Sequence, residues 1–400
     1  MNILMLTSVY KDESLGNEDK STNIVNSFVH DWVKMGNRVF VVHNSHRYPI
    51  IVHKIPHQIK SKLAAKMGFY ISDYNVVCKK HYEDGGAKVW RLPMMKVVPH
   101  KAHSRKMILR QTSIIIKILK ENDFVPEIIV GHWASPQMEI ISELKKLYNC
   151  RTAIVLHGTG YIDRKDYPVH EYLKGIDKIG CRSKAQAEIV KNMLELKEAP
   201  FVCYSGVPDE YLRKFELNTN KFLDTSTWRF VYAGRLVKYK NIDTVIKALS
   251  ELTIDWQLDI IGDGAEEDNL RSLCENLNCT DKVIFHGRTS RDRVMEKLSE
   301  AHCFVMVSKG EIFGLVYLEA MAATCITIGS TGEGIDGVIL DGENGFLVEP
   351  GDVEKLVQKI SGITSLKQDD LHRIGKESYN TAIRYSDSRM AEDYLGKVLS

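Results

Sequence analysis

Short apolar runs alternate with longer amphipathic segments along most of the chain. The first run, residues 2–9, is followed by a segment in which Phe28, Trp32 and their apolar neighbours recur at helical spacing, and then by the run RVFVVH. Apolar runs of this length are typical of buried parallel strands, whereas the periodic segments are typical of amphipathic helices. The pattern predicts an α/β protein with parallel sheets.

The alternation is interrupted once, in the polar and turn-prone stretch SGVPDEYLRKFELNTNKFLDTST, and it starts again at RFVYAG (229–234). A chain of 400 residues is long enough for two domains with separate cores. We therefore predict one Rossmann-like domain at residues 1–205, a second at 206–385, and a final helical segment at 386–400.

The bulk composition indicates a soluble globular protein of the cytoplasm. Hydrophobic residues make up 44% and charged residues 26%, and no apolar run approaches the roughly 20 residues that span a bilayer. The N-terminus MNILMLTSVY has the pattern of a strand and lacks a basic leader, so we expect no signal peptide. The eight cysteines are scattered without a C-x-x-C pair, which favours reduced thiols over disulfides or zinc.

The small net charge of +2 conceals a strong division between the two halves of the chain. Residues 1–205 carry 31 Lys and Arg against 20 Asp and Glu, whereas residues 206–400 carry 23 against 32. Within 47–120 the counts are 16 and 3, so this stretch holds all of the positive excess of the first half. Such asymmetry predicts an anionic partner for the first half.

The most basic part of that stretch is PHKAHSRKMILRQTSIIIKILK (99–120), in which Lys101, Arg105, Lys106 and Arg110 alternate with apolar residues. A basic amphipathic helix can lie on an anionic membrane surface or bind a lipid diphosphate. The alternative is a solvated helix face with an ordinary buried stripe. Nucleic acid is excluded as a partner because the patch lacks interleaved aromatic residues and no nucleic-acid-binding signature accompanies it.

Two glutamates eight residues apart, Glu311 and Glu319, stand out in the run SKGEIFGLVYLEAMAA. The first lies in a glycine-bearing loop beside a predicted helix N-terminus, where backbone N–H groups and the helix dipole favour anionic ligands. The second lies about two turns into the helix and faces the same way. Carboxylates accept hydrogen bonds from sugar hydroxyls, so both could reach one ligand. The alternative is one residue stabilising its own helix and one buried by chance.

Two cations, Arg235 and Lys240, follow the predicted strand RFVYAG. Ligands of open α/β sheets bind at the carboxyl edge of the strands, and a guanidinium fork beside an ammonium group suits a diphosphate. Two solvated surface cations are the alternative. The nearby turn IIGDGAEEDNL contains G-x-G but lacks a third glycine and is densely acidic, which argues against a nicotinamide dinucleotide site.

The E-x-F-G…E spacing is accompanied by VLHGTG (155–160), FVYAGRLVKYKN (230–241), DIIGDGAEEDNL (259–270) and DGENGFLVEPGD (341–352). Together these motifs resemble the retaining glycosyltransferases of family 4, and they span nearly the whole chain. The resemblance implies the α/β GT-B fold, in which two Rossmann-like domains face each other across a cleft and the last helix crosses back to the N-terminal domain. It implies that the first domain binds the acceptor and the second the nucleotide sugar.

The same resemblance assigns roles to single residues. Glu311 would contact the transferred sugar and Glu319 the ribose hydroxyls of the nucleotide. Arg235 and Lys240 would bind the diphosphate and offset leaving-group charge without a metal ion. His157, in the H-G motif, would lie near the donor sugar and position it or support its charge, although a capped core histidine is the alternative. Catalytic roles thus fall to His157, Glu311, Arg235 and Lys240.

Further donor contacts are implied for the residues that follow Glu311 and for two weaker matches. These residues are Ile312, Phe313, Gly314, Leu315, Arg288 in the HGR segment, and Gly16 in the loop KDESLGNEDKST.

The chain also departs from the family pattern. Asp336 and Gly337 stand where Pro and Glu are usual, and Thr324 and Ile326 replace a usual Gly and Pro. These departures leave the choice of sugar open.

We therefore predict a retaining glycosyltransferase that moves a hexose-type sugar from a UDP-linked donor to a lipid-linked or other glycan acceptor during polysaccharide assembly. No cofactor or metal is expected, since no H-x-E-x-H or D-x-D motif occurs. It would act in the cytoplasm, at the inner face of the cell membrane. The alternatives are a GT-B enzyme with a small soluble acceptor, an epimerase, or a silent GT-B partner protein, which the intact charged residues argue against.

Overall fold

The computed structural model describes residues 1–18, 22–56, 59, 74–96, 101–164 and 167–400. The chain divides into two compact units. Unit 1 comprises Met1–Cys181, Ala187–Cys203 and Ala391–Ser400, and unit 2 comprises Arg182–Gln186 and Tyr204–Met390. The sequence predicted a boundary between residues 205 and 206, and the main passage of the chain lies between 203 and 204.

Unit 1 is built on a sheet of eight strands with the order β10-β9-β8-β7-β1-β2-β5-β4. All neighbouring strands run parallel except β4 and β5, which are antiparallel. A separate two-stranded ribbon pairs β3 with β6. The strands are β1 Asn2–Thr7, β2 Arg38–His43, β3 His46–Arg47, β4 Lys80–Asp84, β5 Ala87–Arg91, β6 Met94–Met95, β7 Ile128–His132, β8 Arg151–Leu156, β9 Lys178–Cys181 and β10 Phe201–Val202.

The helices of this part of the chain are α1 Ile24–Lys34, α2 Ile50–His53, α3 Tyr74–Val77, α4 Arg105–Glu121, α5 Gln137–Lys145, α6 Val169–Leu173 and α7 Lys184–Met193, with a 3-10 helix at Glu13–Glu18. The strands read as continuous apolar runs because both faces of the sheet are covered: Leu4 and Ile129 on one face, and Met5 and Val130 on the other, are fully buried. A parallel sheet whose strands are connected by helices accounts for the alternation of strand and helix predicted from the sequence.

The end of the chain packs on unit 1. In the last helix, Tyr394 is fully buried, and its ring lies 5.3 Å from that of Phe28 and 5.3 Å from that of Trp32. The indole nitrogen of Trp32 donates a hydrogen bond of 2.9 Å to the carbonyl of Ala391. Residues 391–400 are thus part of the N-terminal unit, although they lie at the other end of the sequence.

Unit 2 contains a six-stranded parallel sheet with the order β13-β12-β11-β14-β15-β16. Its strands are β11 Trp228–Ala233, β12 Trp256–Ile261, β13 Val283–Gly287, β14 Cys303–Val305, β15 Ile326–Ser330 and β16 Phe346–Val348. Its helices are α8 Asp209–Lys214, α9 Ile242–Ser250, α10 Glu267–Asn276, α11 Arg291–Glu300, α12 Leu315–Ala322, α13 Val353–Thr364 and α14 Gln368–Arg384, with 3-10 helices at Thr219–Leu223 and Lys238–Lys240. The last helix, α15 Asp387–Leu399, belongs to unit 1 from Ala391 onward.

The glycines of the IIGDG turn have a structural explanation. A Cβ on Gly262 would lie 1.8 Å from the carbonyl oxygen of Gly234, and one on Gly264 would lie 2.1 Å from that of Leu236. The loops after β11 and β12 therefore meet backbone against backbone, which only glycine permits. The G-x-G sequence serves this packing.

Candidate functional site

The site in unit 2 centres on an ion pair between two loops at the carboxyl edge of the sheet. Lys240, at the end of the 3-10 turn after β11, contacts the Oε2 atom of Glu311 through its Nζ atom. The two side chains are only 12% and 14% exposed. The structure therefore brings together Lys240, predicted to bind the diphosphate, and Glu311, predicted to bind the sugar. The two side chains form an ion pair with each other.

Backbone contacts keep these two loops in register. The amide of Lys309 donates 2.8 Å to the carbonyl of Tyr239, and the side-chain amide of Asn241 donates 2.8 Å to the carbonyl of Val307. Asn241 has a φ of 51°, a left-handed conformation that asparagine tolerates better than most residues, and α9 begins at the next residue. The position of Lys240 is thus fixed by the turn that precedes this helix.

Arg235 lies on the same loop, with its side chain exposed to solvent. Its guanidinium donates a hydrogen bond of 2.7 Å to the hydroxyl of Tyr239, a residue that the sequence analysis missed. The hydroxyl of Tyr232 donates 3.0 Å to the carbonyl of Arg235. Burial raises the pKa of the Tyr232 phenol, so this donor stays neutral at physiological pH and holds the loop without adding charge.

The Glu311 loop is supported from the segment that follows β15. The amide of Glu311 donates 2.7 Å to the Oε2 atom of Glu333, and the amide of Gly334 donates 2.9 Å to the Glu311 carbonyl. A Cβ on Gly334 would lie 2.4 Å from the carbonyl oxygen of Ile312, so the close approach requires glycine. Glu333 was not predicted as a site residue. Its turn was considered only for Asp336 and Gly337, which depart from the family pattern.

The residues after Glu311 face different environments. Ile312 is 41% exposed, whereas Phe313 is buried and its ring lies 5.3 Å from that of Tyr204. Gly314, the N-cap of α12, has a φ of 78°, and Leu315 is the first residue of that helix. Within this loop, the exposed side chain of Ile312 and the backbone are the parts available to a ligand, since the Phe313 side chain belongs to the core.

Glu319 lies inside α12 and is 7% exposed. Its Oε1 atom pairs with the guanidinium of Arg291, whose carbon lies 5.2 Å from the centre of the Tyr211 ring. Arg291 is the first residue of α11, and a cation in the first helical turn opposes the helix dipole. That unfavourable position marks Arg291 in the sequence as a cation with a partner elsewhere in the fold.

Arg288 and Gly16 are the two weaker predictions of donor-binding residues. Arg288 is exposed just after β13, and the carbonyl of the preceding Gly287 accepts a hydrogen bond of 2.9 Å from Gly262. Gly16 lies in the 3-10 helix of unit 1, on the loop after β1. Both residues stand beyond the carboxyl ends of strands of their own sheets.

His157 directly follows β8 in unit 1. Its Nε2 atom shares a hydrogen bond of 2.9 Å with the Nδ1 atom of His132, which is fully buried at the end of β7. The His157 ring also stacks on the indole of Trp133, with centroids 4.1 Å apart and planes 14° apart. One nitrogen of the histidine pair must donate and the other accept, so His132 restricts the tautomer of His157.

The basic residues Lys101, Arg105, Lys106 and Arg110 are all exposed, on or just before α4. The apolar stripe of this helix, however, is buried in the core of unit 1: Ile108, Ile115 and Leu119 are at most 4% exposed. The apolar stripe of α4 is therefore a buried face of the protein core, which was the alternative to a membrane-binding face. The exposed cations of this helix are the groups left to contact an anionic membrane. Across the residues that the structure describes, no helix combines the length and apolar character needed to cross a bilayer.

Comparison with known families finds a match within the second unit. Residues 214–381 match the family model described as Glycosyl transferases group 1. The matched range contains Arg235, Lys240, Glu311 and Glu319.

Two curated relatives share parts of the chain. It is 34% identical over 145 residues to the N-acetyl-alpha-D-glucosaminyl L-malate synthase of Bacillus anthracis, a match that covers 36% of this chain and 37% of that relative. It is 29% identical over 238 residues to the lipopolysaccharide core biosynthesis glycosyltransferase LpsE of Rhizobium meliloti, covering 58% of this chain and 66% of that relative. The chain spans less than two thirds of each relative's length.

Solved structures match over the full length. A glycosyltransferase from Rickettsia africae gives a TM-score of 0.68 at 17% identity and covers 100% of this chain and 99% of that one. Anabaena Alr3699/HepE in complex with UDP gives a TM-score of 0.66 at 14% identity and covers 100% of both chains. The structural neighbours are GT-B glycosyltransferases, and the predicted α/β GT-B fold class is confirmed.

Proposed function

We propose that the protein is a glycosyltransferase that transfers a hexose-type sugar from a UDP-linked donor, with retention of configuration and without a metal ion. The observation that carries this proposal is the Lys240–Glu311 ion pair at the carboxyl edge of the unit 2 sheet, beside the exposed Arg235 and within the range that matches the group 1 family. The relative named as a lipopolysaccharide core glycosyltransferase and the neighbour solved with UDP support the choice of reaction and of nucleotide.

Donor binding exchanges the partners of the central ion pair. A diphosphate offers Lys240 a second anion, and charge-assisted hydrogen bonds to phosphate compete well with a carboxylate. Once its ammonium partner turns to the phosphate, Glu311 accepts hydrogen bonds from the sugar hydroxyls. The pair is thus a preorganised site whose two halves separate onto two parts of one ligand.

In the transfer step, the bond between the anomeric carbon and the diphosphate oxygen breaks, and the bond to the acceptor oxygen forms on the same face. The leaving phosphate oxygen takes the acceptor proton, so the charges balance without an added base. Lys240 and Arg235 stabilise the negative charge that develops on the leaving group, which is the kind of interaction that lowers a barrier most.

Glu319 and His157 have supporting roles in this proposal. Glu319 receives the ribose hydroxyls, and the guanidinium of Arg291 fixes the orientation of its carboxylate. His157, in unit 1, acts as a positioning group, with its ring held by Trp133 and its tautomer by His132.

The acceptor in this proposal is a lipid-linked or other glycan precursor at the inner face of the cell membrane, in polysaccharide assembly. The exposed cations of α4 support an anionic partner. A small soluble acceptor is the second candidate. It is favoured by the burial of the apolar stripe of α4 in the core of unit 1, and by the relative named for L-malate.

A sugar-nucleotide screen tests the proposal. A ligand at 100 times its dissociation constant stabilises the folded state by about 2.7 kcal/mol, so thermal unfolding should single out UDP and one or two UDP-sugars over GDP and ADP counterparts. Proton NMR of the anomeric signal in the first product should then show the donor's configuration. The proposal is wrong if no sugar nucleotide raises the unfolding temperature in the presence or absence of EDTA.

A further inference from the structure

Tyr239 lies between the two cations of the unit 2 site and contacts both of them. Its hydroxyl accepts a hydrogen bond of 2.7 Å from the Nη2 atom of Arg235, and the Nζ atom of Lys240 lies 5.7 Å from the centre of its ring. Its carbonyl accepts 2.8 Å from the amide of Lys309, on the loop that carries Glu311. One tyrosine thus connects the guanidinium, the ammonium and the loop of the carboxylate.

The backbone fixes this tyrosine without help from its hydroxyl. Tyr239 is the middle residue of the 3-10 turn Lys238–Lys240, in which the amide of Lys240 donates 2.9 Å to the carbonyl of Val237. The bond from Lys309 holds the Tyr239 carbonyl on the other side. Loss of the hydroxyl alone therefore leaves the turn and both loops in place.

The phenol has one hydrogen-bond donor that the protein does not use. A tyrosine hydroxyl can accept through its oxygen and donate its own proton. In the part of the chain that the structure describes, the Tyr239 hydroxyl accepts from Arg235 and donates to no residue. The side chain is 43% exposed, so a ligand that enters from solvent can reach it. The free proton is available to an acceptor from outside the chain.

Arg235 makes this hydroxyl a better donor. Hydrogen bonds in a chain polarise one another, and a cationic donor polarises its acceptor more strongly than a neutral one. The guanidinium has five N–H groups and uses one of them on Tyr239, so the others remain for a ligand. Arg235 and Tyr239 can therefore donate together to one anionic group.

The neighbours of Tyr239 indicate which group this is. Lys240 is paired with Glu311, the carboxylate that binds the sugar in the proposed function. The phosphate that carries the sugar is the β-phosphate of the donor. Donors that lie beside the sugar-binding carboxylate are therefore closest to the β-phosphate.

We propose that Tyr239 is a further ligand of the donor diphosphate and that its hydroxyl donates a hydrogen bond to an oxygen of the β-phosphate. The proposal rests on the proposed glycosyltransferase function. When the bond between the anomeric carbon and the phosphate oxygen breaks, negative charge grows on this phosphate. A polarised donor that is already in position stabilises that charge without reorganisation.

The first test removes the hydroxyl and keeps the ring. Tyr239→Phe should weaken UDP binding about tenfold, as expected for a lost hydrogen bond to a charged group, and should leave UMP binding unchanged because UMP has no β-phosphate. Calorimetry measures both affinities. Tyr379→Phe is the matched control, since it removes a hydroxyl of α14 that donates 3.4 Å to the carbonyl of Leu212, and it should bind UDP as the wild type does.

The outcomes of this test separate the contact from the proposed function. UDP binding that is equal in the wild type and Tyr239→Phe would overturn the contact and leave the transferase proposal standing. An equal loss for UDP and UMP would overturn the assignment to the β-phosphate. A wild type that binds no UDP would overturn the proposed function, and the contact with it.

A second test asks whether the hydroxyl acts on the ligand or only through Arg235. Adding Tyr239→Phe to Arg235→Met should weaken UDP binding by at least about threefold more, because the hydroxyl contacts the phosphate itself. Equal affinities of the single Arg235→Met variant and the double variant would show that Tyr239 only orients the guanidinium, and would overturn the direct contact.

Turnover provides the third test. Tyr239→Phe should lower kcat and kcat/KM together by about tenfold, since the charge that the hydroxyl stabilises appears during bond breaking. Steady-state kinetics with the sugar nucleotide that binds in the screen measure both constants. An increase of KM at unchanged kcat would place the hydroxyl away from the leaving phosphate and overturn the proposal.

Discussion

The two units place their cations against carboxylates in different ways. In unit 2, Lys240 and Arg291 each pair with a carboxylate that the proposed donor also needs. In unit 1, Lys80 and the fully buried Arg91, the last residue of β5, share the carboxylate of Asp12, which follows β1. A ligand of the unit 2 edge must therefore displace an internal partner, whereas in unit 1 one buried carboxylate already holds two cations.

The largest expected effect comes from breaking the paired edge. Lys240→Met removes a cation that stabilises the leaving diphosphate, and loss of one preorganised donor of this kind lowers turnover by about a hundred- to a thousandfold. Affinity for UDP should fall about ten- to a hundredfold. Turnover assays and calorimetry measure these two quantities separately.

Lys238 provides a control for this variant, since it lies on the same 3-10 turn with an exposed side chain. Lys238→Met should retain wild-type turnover and affinity. Unchanged UDP affinity in Lys240→Met would remove this residue from the diphosphate site.

The two carboxylates of unit 2 sharpen the comparison because their roles differ. Glu311→Gln should lower turnover about a hundredfold and affinity for UDP little, because its proposed ligand is the sugar. Glu319→Gln should weaken UDP binding about tenfold, because a neutral amide is a poorer acceptor for two ribose hydroxyls. If both variants bind UDP equally poorly, the division of roles is wrong.

The exposed cations on and just before α4 test whether the positive charge of unit 1 attracts an anionic surface. Replacing Lys101, Arg105, Lys106 and Arg110 with Ser should weaken binding to anionic vesicles at least tenfold, since each cation near such a surface contributes about 1 kcal/mol. Wild-type binding should fade as the Debye length falls from roughly 10 Å at 0.1 M salt to about 3 Å at 1 M. Co-sedimentation measures both effects, and UDP affinity serves as the control.

The two units also differ in how far the sequence predicts their charged groups. Arg235, Lys240, Glu311 and Glu319 were found because each lies within a few residues of an apolar run whose direction defines the sheet edge. Arg291 was missed because it comes from a different element and meets Glu319 only in the fold. The sequence does not predict the unit 1 cluster around His46 for the same reason, since its residues are distant in the chain and meet only in the fold.

That cluster shows the limit in physical terms. His46 lies in a two-residue strand, Lys96 and His103 in the connection from β6 to α4, and Arg164 in the connection from β8 to α6. None of these short segments has a periodicity that reveals its burial. The apolar stripe of α4 shows a related limit: one amphipathic pattern suits a membrane surface and a protein core equally, and only the tertiary packing decides. The fold class, by contrast, follows from the alternation itself.

The smallest expected effect concerns a place in unit 1 where charge is balanced internally, as in unit 2. Asp84 accepts hydrogen bonds from the Tyr10 hydroxyl at 2.8 Å and the Asn26 amide at 3.1 Å, and it lies 2.9 Å from the His30 imidazole. The hydrogen bond to Asp84 raises the pKa of His30 above its ordinary 6.5. Against the opposing effect of burial, the hydrogen bonds from His30 and Tyr10 lower the pKa of Asp84 below 3.8.

The pair therefore stabilises the fold within a definite pH window. Its contribution is present above the unfolded pKa of the carboxyl, near 3.8, and is complete below the unfolded pKa of the imidazole, near 6.5. It is lost as the pH rises through the folded pKa of His30. His30→Gln should thus cost about 1 kcal/mol at pH 5.5 and less at pH 9, because the charged form that gains from Asp84 is absent there.

Urea unfolding of the wild type and His30→Gln at the two pH values measures this difference. Lys34→Gln is the matched control, since Lys34 lies on the same helix and its exposed ammonium pairs with Asp31, one turn earlier. A cost of His30→Gln that is equal at pH 5.5 and pH 9 would mean that the imidazole contributes by packing alone. The internal balance around Asp84 would then be one of neutral hydrogen bonds, unlike the ion pair of 2.8 Å between Arg91 and Asp12 in the same unit.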